Sequence, residues 1–336
     1  MNMSKKLSAL AAATFLLMNV MAQSGYKHTQ TFHITSNGGW DYVAVNPSSN
    51  KLYVSHGTQV NILDKQTGDS LGVILNTTGV HGIAFVEALN KGYTSNGRIN
   101  SVTVFNLATD KVLGQIATGE NPDAIFYEPY SKKIITCNGR SKDLSVIDPL
   151  TDKVVATIPV GGKPETAVSD EAGKVYVNIE DKNEIAVIDM DKLNVVAHWP
   201  IEPGDGPTGL AIDIATKRLF AGCEKLLIVV DAVNGKIVDK LPIGEGCDGV
   251  AFDAERKIIL ASNGSGTMTV VKEANAHEFT IVENLVTKRG ARTITVDPST
   301  HKVYMPTAVF EPQAPGEKGR PKMVNGSFQV LVFEKH

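Results

Sequence analysis

The stretch NPDAIFYEPYSKKIITCNGRSKDLSVIDPLTDKVVATIPVGG, Asn121 to Gly162, decides the fold. An apolar run, Ala124-Ile125-Phe126-Tyr127, leads into a Pro/Ser/Lys turn. A second run, Ile134-Ile135-Thr136, ends in Asn138-Gly139. A third reads Leu144-Ser145-Val146-Ile147-Asp148 and a fourth Val154-Val155-Ala156-Thr157-Ile158. Four short runs rich in Val, Ile and Thr, separated by turn residues, predict one four-stranded β-sheet of a repeating architecture. A helical repeat would need apolar residues at three-and-four spacing, which these runs lack.

The unit recurs along the chain. The residues that open the innermost strand of each copy are Asp41, His81, Asp123, Glu165, Thr208, Asp248 and Arg292, separated by 40, 42, 42, 43, 40 and 44 positions. The second strands close in parallel register at Ser55-His56, Ser95-Asn96, Cys137-Asn138, Asn178-Ile179, Gly222-Cys223, Ser262-Asn263 and Pro306-Thr307. This spacing predicts an all-β, seven-bladed β-propeller. The last copy stops after its third strand, Phe328 to Phe333. A ring without an exposed edge needs the two chain ends to share a blade. The segment His28 to Thr35 is therefore expected to supply the missing outermost strand.

Residues 1–22 read as a secretory signal. Lys5-Lys6 form the charged start, Leu7 to Met18 the apolar stretch, and Val20-Met21-Ala22 the cleavage site before Gln23. The apolar stretch is short for a transmembrane helix, and no second one follows. The expected location is thus the periplasm or outside the cell. Removing 22 of 336 residues leaves 314, about 45 per blade and enough for one ring, residues 23–336, expected to be a monomer. Without Lys5 and Lys6, 31 basic residues face 36 acidic ones, a net charge of −5. That balance argues against an extended nucleic-acid footprint. Three cysteines leave at least one unpaired. Cys223 and Cys247 fall in adjacent blades on one face, so two readings stand: a disulfide, or small buried apolar residues.

The second strands Leu52-Tyr53-Val54-Ser55, Val175-Tyr176-Val177-Asn178 and Val303-Tyr304-Met305-Pro306 resemble the YVTN signature. Val146-Ile147-Asp148 and Val187-Ile188-Asp189 match its V-x-V-I-D continuation. The mature chain is thus similar to the YVTN-repeat propellers, also called YncE-like proteins. The resemblance implies an exported seven-bladed ring and no particular reaction, since blade-building residues define the family.

In a propeller, the starts of inner strands and the ends of second strands surround one mouth of the central channel. Loops held by a rigid scaffold are where function concentrates. One column contributes Asp41, His81, Asp123, Glu165, Asp248 and Arg292; the other contributes His56, Asn96, Asn138, Asn263 and Thr307, with Glu180 just beyond. Carboxylates converging on one channel repel unless cations sit among them. Asp123, Glu165, Asp248 and His81 form an oxygen-rich set suited to Ca²⁺, Mg²⁺ or Mn²⁺. Such an ion would resemble that of gluconolactonase-like and paraoxonase-like propellers, with His81 as candidate general base for a lactonase-like hydrolysis. Alternatively Arg140, Lys163, Arg289 and Arg292 neutralise the ring and leave a polar pocket for a small molecule or an envelope protein. A third reading has the Asp, Glu and Asn side chains capping turns.

His56 and His81 occupy neighbouring blades and are expected close to each other at the mouth. In blade seven the link between the second and third strands swells to Phe310–Gly326, a lid, a docking loop or a disordered tip. No nucleophile elbow, phosphate-binding glycine loop or zinc-spaced cluster is present. The sequence points to a binding module, with a metal-assisted hydrolase as the competing class and nucleic-acid binding last.

Overall fold

A computed structural model describes residues 25–36, 38–312 and 321–335. The leader-like segment 1–22 and the tip of the blade-seven insertion, 313–320, lie outside the described residues. Seven four-stranded antiparallel sheets form a seven-bladed β-propeller. In blade three the strands are Pro122–Glu128, Lys133–Asn138, Asp143–Asp148 and Lys153–Pro159, in that order from channel to rim. The outermost strand alternates exposed and sheltered residues, whereas Ile134 to Asn138 are all buried between neighbouring blades. That is the period-two pattern of a half-covered strand beside a fully covered one.

The ring closes as the truncated last repeat requires. Tyr26–His33 pairs antiparallel with Gln329–Lys335, outside Val303–Thr307 and Thr295–Val296. The closing strand lies two residues earlier than its apolar run suggests. A bulge between His28 and Gln30 resets the alternation, so that Tyr26 is buried on the blade-six side of the strand and Phe32 on the blade-one side. Phe32, Val43, Val54, Tyr304 and Val332 then share one core cluster across the seam between blades seven and one.

The second-strand tyrosines and the aspartates that end the third strands have a structural task that explains their recurrence. Tyr93 hydroxyl donates to Asp152 Oδ1 at 2.9 Å, Tyr176 to Ala232 O at 2.8 Å and Tyr304 to Lys65 O at 2.8 Å. Each ties the second strand of one blade to the turn between the third and fourth strands of the next. The Tyr304 bond does so across the seam. The aspartate ending V-x-V-I-D accepts from the turn that follows it: Asp148 Oδ1 from Leu150 N at 3.0 Å and Asp189 Oδ1 from Asp191 N at 3.1 Å. Among the described residues no helix is long and apolar enough to cross a membrane.

Candidate functional site

Five of the seven inner strands carry a register break where they begin: between Trp40 and Val43, Val80 and Ile83, Pro122 and Ile125, Pro164 and Ala167, and Cys247 and Gly249. Asp41, His81, Asp123, Glu165 and Asp248 sit inside these breaks. A bulge leaves a residue out of the ladder and re-aims its side chain, here toward the channel. In five blades the backbone two positions before the opening residue is left-handed, at Gly79, Asn121, Gly206, Gly246 and Gly290. Glycine and asparagine tolerate that conformation best.

All seven opening residues, Asp41, His81, Asp123, Glu165, Thr208, Asp248 and Arg292, line one pocket of about 640 Å³. Lys163, Glu180 and Arg289 join them, as do Trp40, Tyr42 and Phe310. The charged groups link hand to hand. Arg292 Nε lies 2.5 Å from Asp248 Oδ2, and its Nη2 lies 3.2 Å from Asp41 Oδ1. The other oxygen of Asp41 holds His81 Nδ1 at 2.5 Å, and Asp123 Oδ1 lies 3.7 Å beyond that nitrogen. Across the pocket, Lys163 Nζ pairs with Glu165 Oε1 at 2.6 Å and also with Glu180.

Asp123 is the weak point of this belt. It accepts no side-chain hydrogen bond from any described residue, and its nearest cation is the imidazole at 3.7 Å. Burial and then the field of Asp41 raise its pKa to about 7, against the opposing pull of His81. Burial and then Asp123 raise Glu165 to about 8, although Lys163 resists. The two carboxyls titrate as a pair that holds about one proton near neutral pH. Burial also lifts Asp248, with Arg292 opposing. For His81 burial disfavours the charged ring, but the Asp41 hydrogen bond and the fields of Asp123, Asp41 and Glu165 outweigh it and raise the pKa to about 9.

Tyr42 was not singled out by sequence. It leaves blade one and packs against the core cluster that holds Ala124 and Ala167 of blades three and four. Its ring therefore crosses the channel and floors the pocket. Burial, then the fields of Asp123, Asp41, Glu165 and Asp248, keep the phenol neutral. The wall opposite Glu165 is aromatic. The Phe310 ring lies 5.9 Å from that of Trp40, tilted by 44°, and rests on Gly290, where a Cβ would approach the Phe310 ring to 2.7 Å. The stem of the insertion forms this wall, with Phe310 bridged to Met323 and Glu311 N donating to Lys322 O at 2.8 Å. No alignment of the repeats reveals this, because the segment is an insertion.

The second column lies elsewhere. Asn96, Asn138 and Asn263 are fully buried within their blades and outside the pocket. Asn96 Nδ2 donates to Thr103 Oγ1 at 2.9 Å and Asn138 Nδ2 to Ser145 Oγ at 2.8 Å; Asn263 shares a 3.1 Å hydrogen bond with Thr269. His56 follows the same plan, its Nδ1 3.2 Å from Asn61 Oδ1, its Nε2 3.1 Å from Gly38 O and its ring 4.2 Å from Phe328. Burial lowers its pKa, with those bonds opposing. His56 and His81 are therefore not partners at the mouth. Thr307 is buried too, its hydroxyl donating to Arg289 O at 2.9 Å. Arg140 is exposed and does not line the pocket, so Lys163, Arg289 and Arg292 alone of the four expected cations do. Cys137, Cys223 and Cys247 are buried free thiols, the second of the two readings for the cysteines.

The chain matches no protein-family model and no curated protein. Among solved structures it is similar to Kuenenia stuttgartiensis hydrazine synthase, with a TM-score of 0.71 and 15% identity. The match covers 81% of this chain and 94% of that one. At that identity the likeness shows the propeller fold alone.

Proposed function

We propose that the chain is an exported binding module of the YVTN-repeat, YncE-like kind that takes a small molecule at the channel mouth. The observation that carries this reading is the convergence of all seven opening residues on one pocket floored by Tyr42. Five of them sit in bulges. Bulges weaken a sheet and persist where they aim a side chain at something. Crowded carboxylates with raised pKa values are likewise a mark of a site rather than of a scaffold. Residues 1–22 would direct export, leaving a ring that begins near Gln23. Screening the purified protein by thermal shift against a library of mixed charge tests the reading. Ligands should stabilise the native chain and lose that effect in Glu165→Gln. A library without a single stabilising compound would count against a small-molecule site.

One observation favours a divalent ion as second reading: ligand atoms of Asp41, His81 and Asp123 all lie within 4.8 Å of one another. An ion there would polarise an ester or lactone carbonyl. His81 fits the role of general base poorly. Its Nδ1 is held by Asp41, and its raised pKa keeps the ring protonated at neutral pH. Elemental analysis of the purified protein for Ca, Mg and Mn separates the two readings.

A further inference from the structure

The pocket's two halves differ in a way that names a ligand chemistry. Five carboxyl groups line it, Asp41, Asp123, Glu165, Glu180 and Asp248, against Lys163, Arg289, Arg292 and His81. Lys163 is committed to Glu165 and Glu180, and Arg292 to Asp41 and Asp248. Asp123, between these groups, lacks a hydrogen-bond donor among the described residues, and its side chain is only 16% exposed. Its one ion pair, 3.7 Å to His81 Nδ1, is longer than a hydrogen bond and goes to a nitrogen already held by Asp41, so the carboxylate is open to a further donor. Tyr42 lies directly among the four carboxylates that sense one another, and Trp40 and Phe310 continue the aromatic surface. Aromatic faces attract cations, most strongly where water is excluded.

From this we infer that the ligand is a small organic cation, its ammonium group seated between Asp123 and Glu165 against Tyr42. The inference rests on the binding-module reading and gives that pocket its ligand class. An ammonium there takes the place of the proton the carboxyl pair otherwise shares, so binding releases about one proton near neutral pH. A metal ion fits less well. The atom nearest both Asp41 and Asp123 is His81 Nδ1, already engaged with Asp41, so an ion would have to displace that hydrogen. An anionic ligand would enter a site with more carboxyl groups than cations.

Isothermal titration of the purified protein tests the assignment with probes of matched length: 1,4-diaminobutane, butane-1,4-diol and succinate, with choline, CaCl₂ and MnCl₂ alongside. The diamine or choline should bind, and the diol and succinate should not. Amine affinity should fall about tenfold in Asp123→Asn and in Glu165→Gln, and about tenfold per unit as pH falls from 8 to 6. Titrations in buffers of different ionisation enthalpy should show proton release. The diol, succinate or a metal binding where both amines fail would overturn the cation assignment while leaving a binding pocket in place. Failure of every probe, with the mixed-charge library also silent, would overturn both. Glu165→Gln guards the test should Asp123→Asn fold poorly.

Discussion

Asp123 and Asn138 stand 15 residues apart in one blade, at the two positions that the repeat brings to the same end of the sheet. Asn138 is fully buried, and its amide is shared between Asp143 at 2.7 Å and Ser145 at 2.8 Å. Asp123 sits in a bulge, has no donor among the described residues and carries a raised pKa. His81 and Asp248 share the bulge and the raised pKa with Asp123 but are engaged across the pocket, with Asp41 and Arg292, whereas Asn96 and Asn263 bond within their own blades. One column spends its polarity on holding hairpins together; the other holds charges in an arrangement that costs stability. A scaffold residue and a site residue thus differ less in type than in where their polar atoms are engaged, inside one blade or across the shared pocket.

The contrast presupposes an intact ring, so the largest effect should come from opening it. Deleting residues through Thr35 strips the outermost strand from blade seven and removes Tyr26 and Phe32 from the core. The truncated protein should aggregate, or lose its cooperative unfolding transition, in light scattering and calorimetry. A truncated monomer with native melting would show that the closing strand is dispensable.

Next in size are the buried amides. Asn96→Ala leaves the buried Thr94 hydroxyl without its partner, Asn263→Ala takes a hydrogen bond from Thr267 and Thr269, and each should cost roughly 1–3 kcal/mol in urea unfolding. Losses below a few tenths would place these side chains outside the framework.

The mouth column should show itself in pH dependence with the opposite sign. Asp123, Glu165 and His81 all bind protons more tightly in the folded than in the unfolded chain. Their contribution to stability is therefore greatest at low pH. For the carboxyls it falls as pH rises from about 4 through 7 and 8; for His81 it falls between about 6.5 and 9. Melting temperature of the native protein should decline from pH 5 to 9, and Glu165→Gln should flatten the decline. An unchanged slope in that variant would place the carboxyl's titration outside the folding equilibrium.

The smallest effect on stability is expected from shortening 313–320 while keeping Phe310 and Met323. Loop closure depends weakly on length. Melting should move by little, whereas Phe310→Ala, which strips an aromatic wall from the pocket, should weaken binding of whatever compound the library yields.

How far the sequence carried these conclusions follows from the same contrast. The seven blades were legible because β-branched runs and turn residues recur at a fixed spacing, and burial between blades demands that pattern. The opening column was legible because repeats place equivalent residues at equivalent radius, so Asp41 and Asp248 converge though they are 207 positions apart. The second column was read as part of the mouth because position alone does not give facing. Side chains alternate along a strand, and Asn138 points into the blade. The bulges were not readable, although a left-handed Gly or Asn two residues upstream accompanies three of them, at Gly79, Asn121 and Gly246. Tyr42 escaped because it belongs to blade one in sequence and to blades three and four in packing.

The most direct test of the central claim is a head-to-head unfolding measurement at pH 8 of Asp123→Asn and Asn138→Ala. Both changes lie in blade three, and both remove one polar function. If the opening column is a site and the second column a framework, Asn138→Ala loses roughly 1–3 kcal/mol. Asp123→Asn, relieved of repulsion from Asp41 and Glu165, is at least as stable as the native chain. Equal destabilisation by the two would contradict the account, because Asp123 would then be one more residue that holds the blade together.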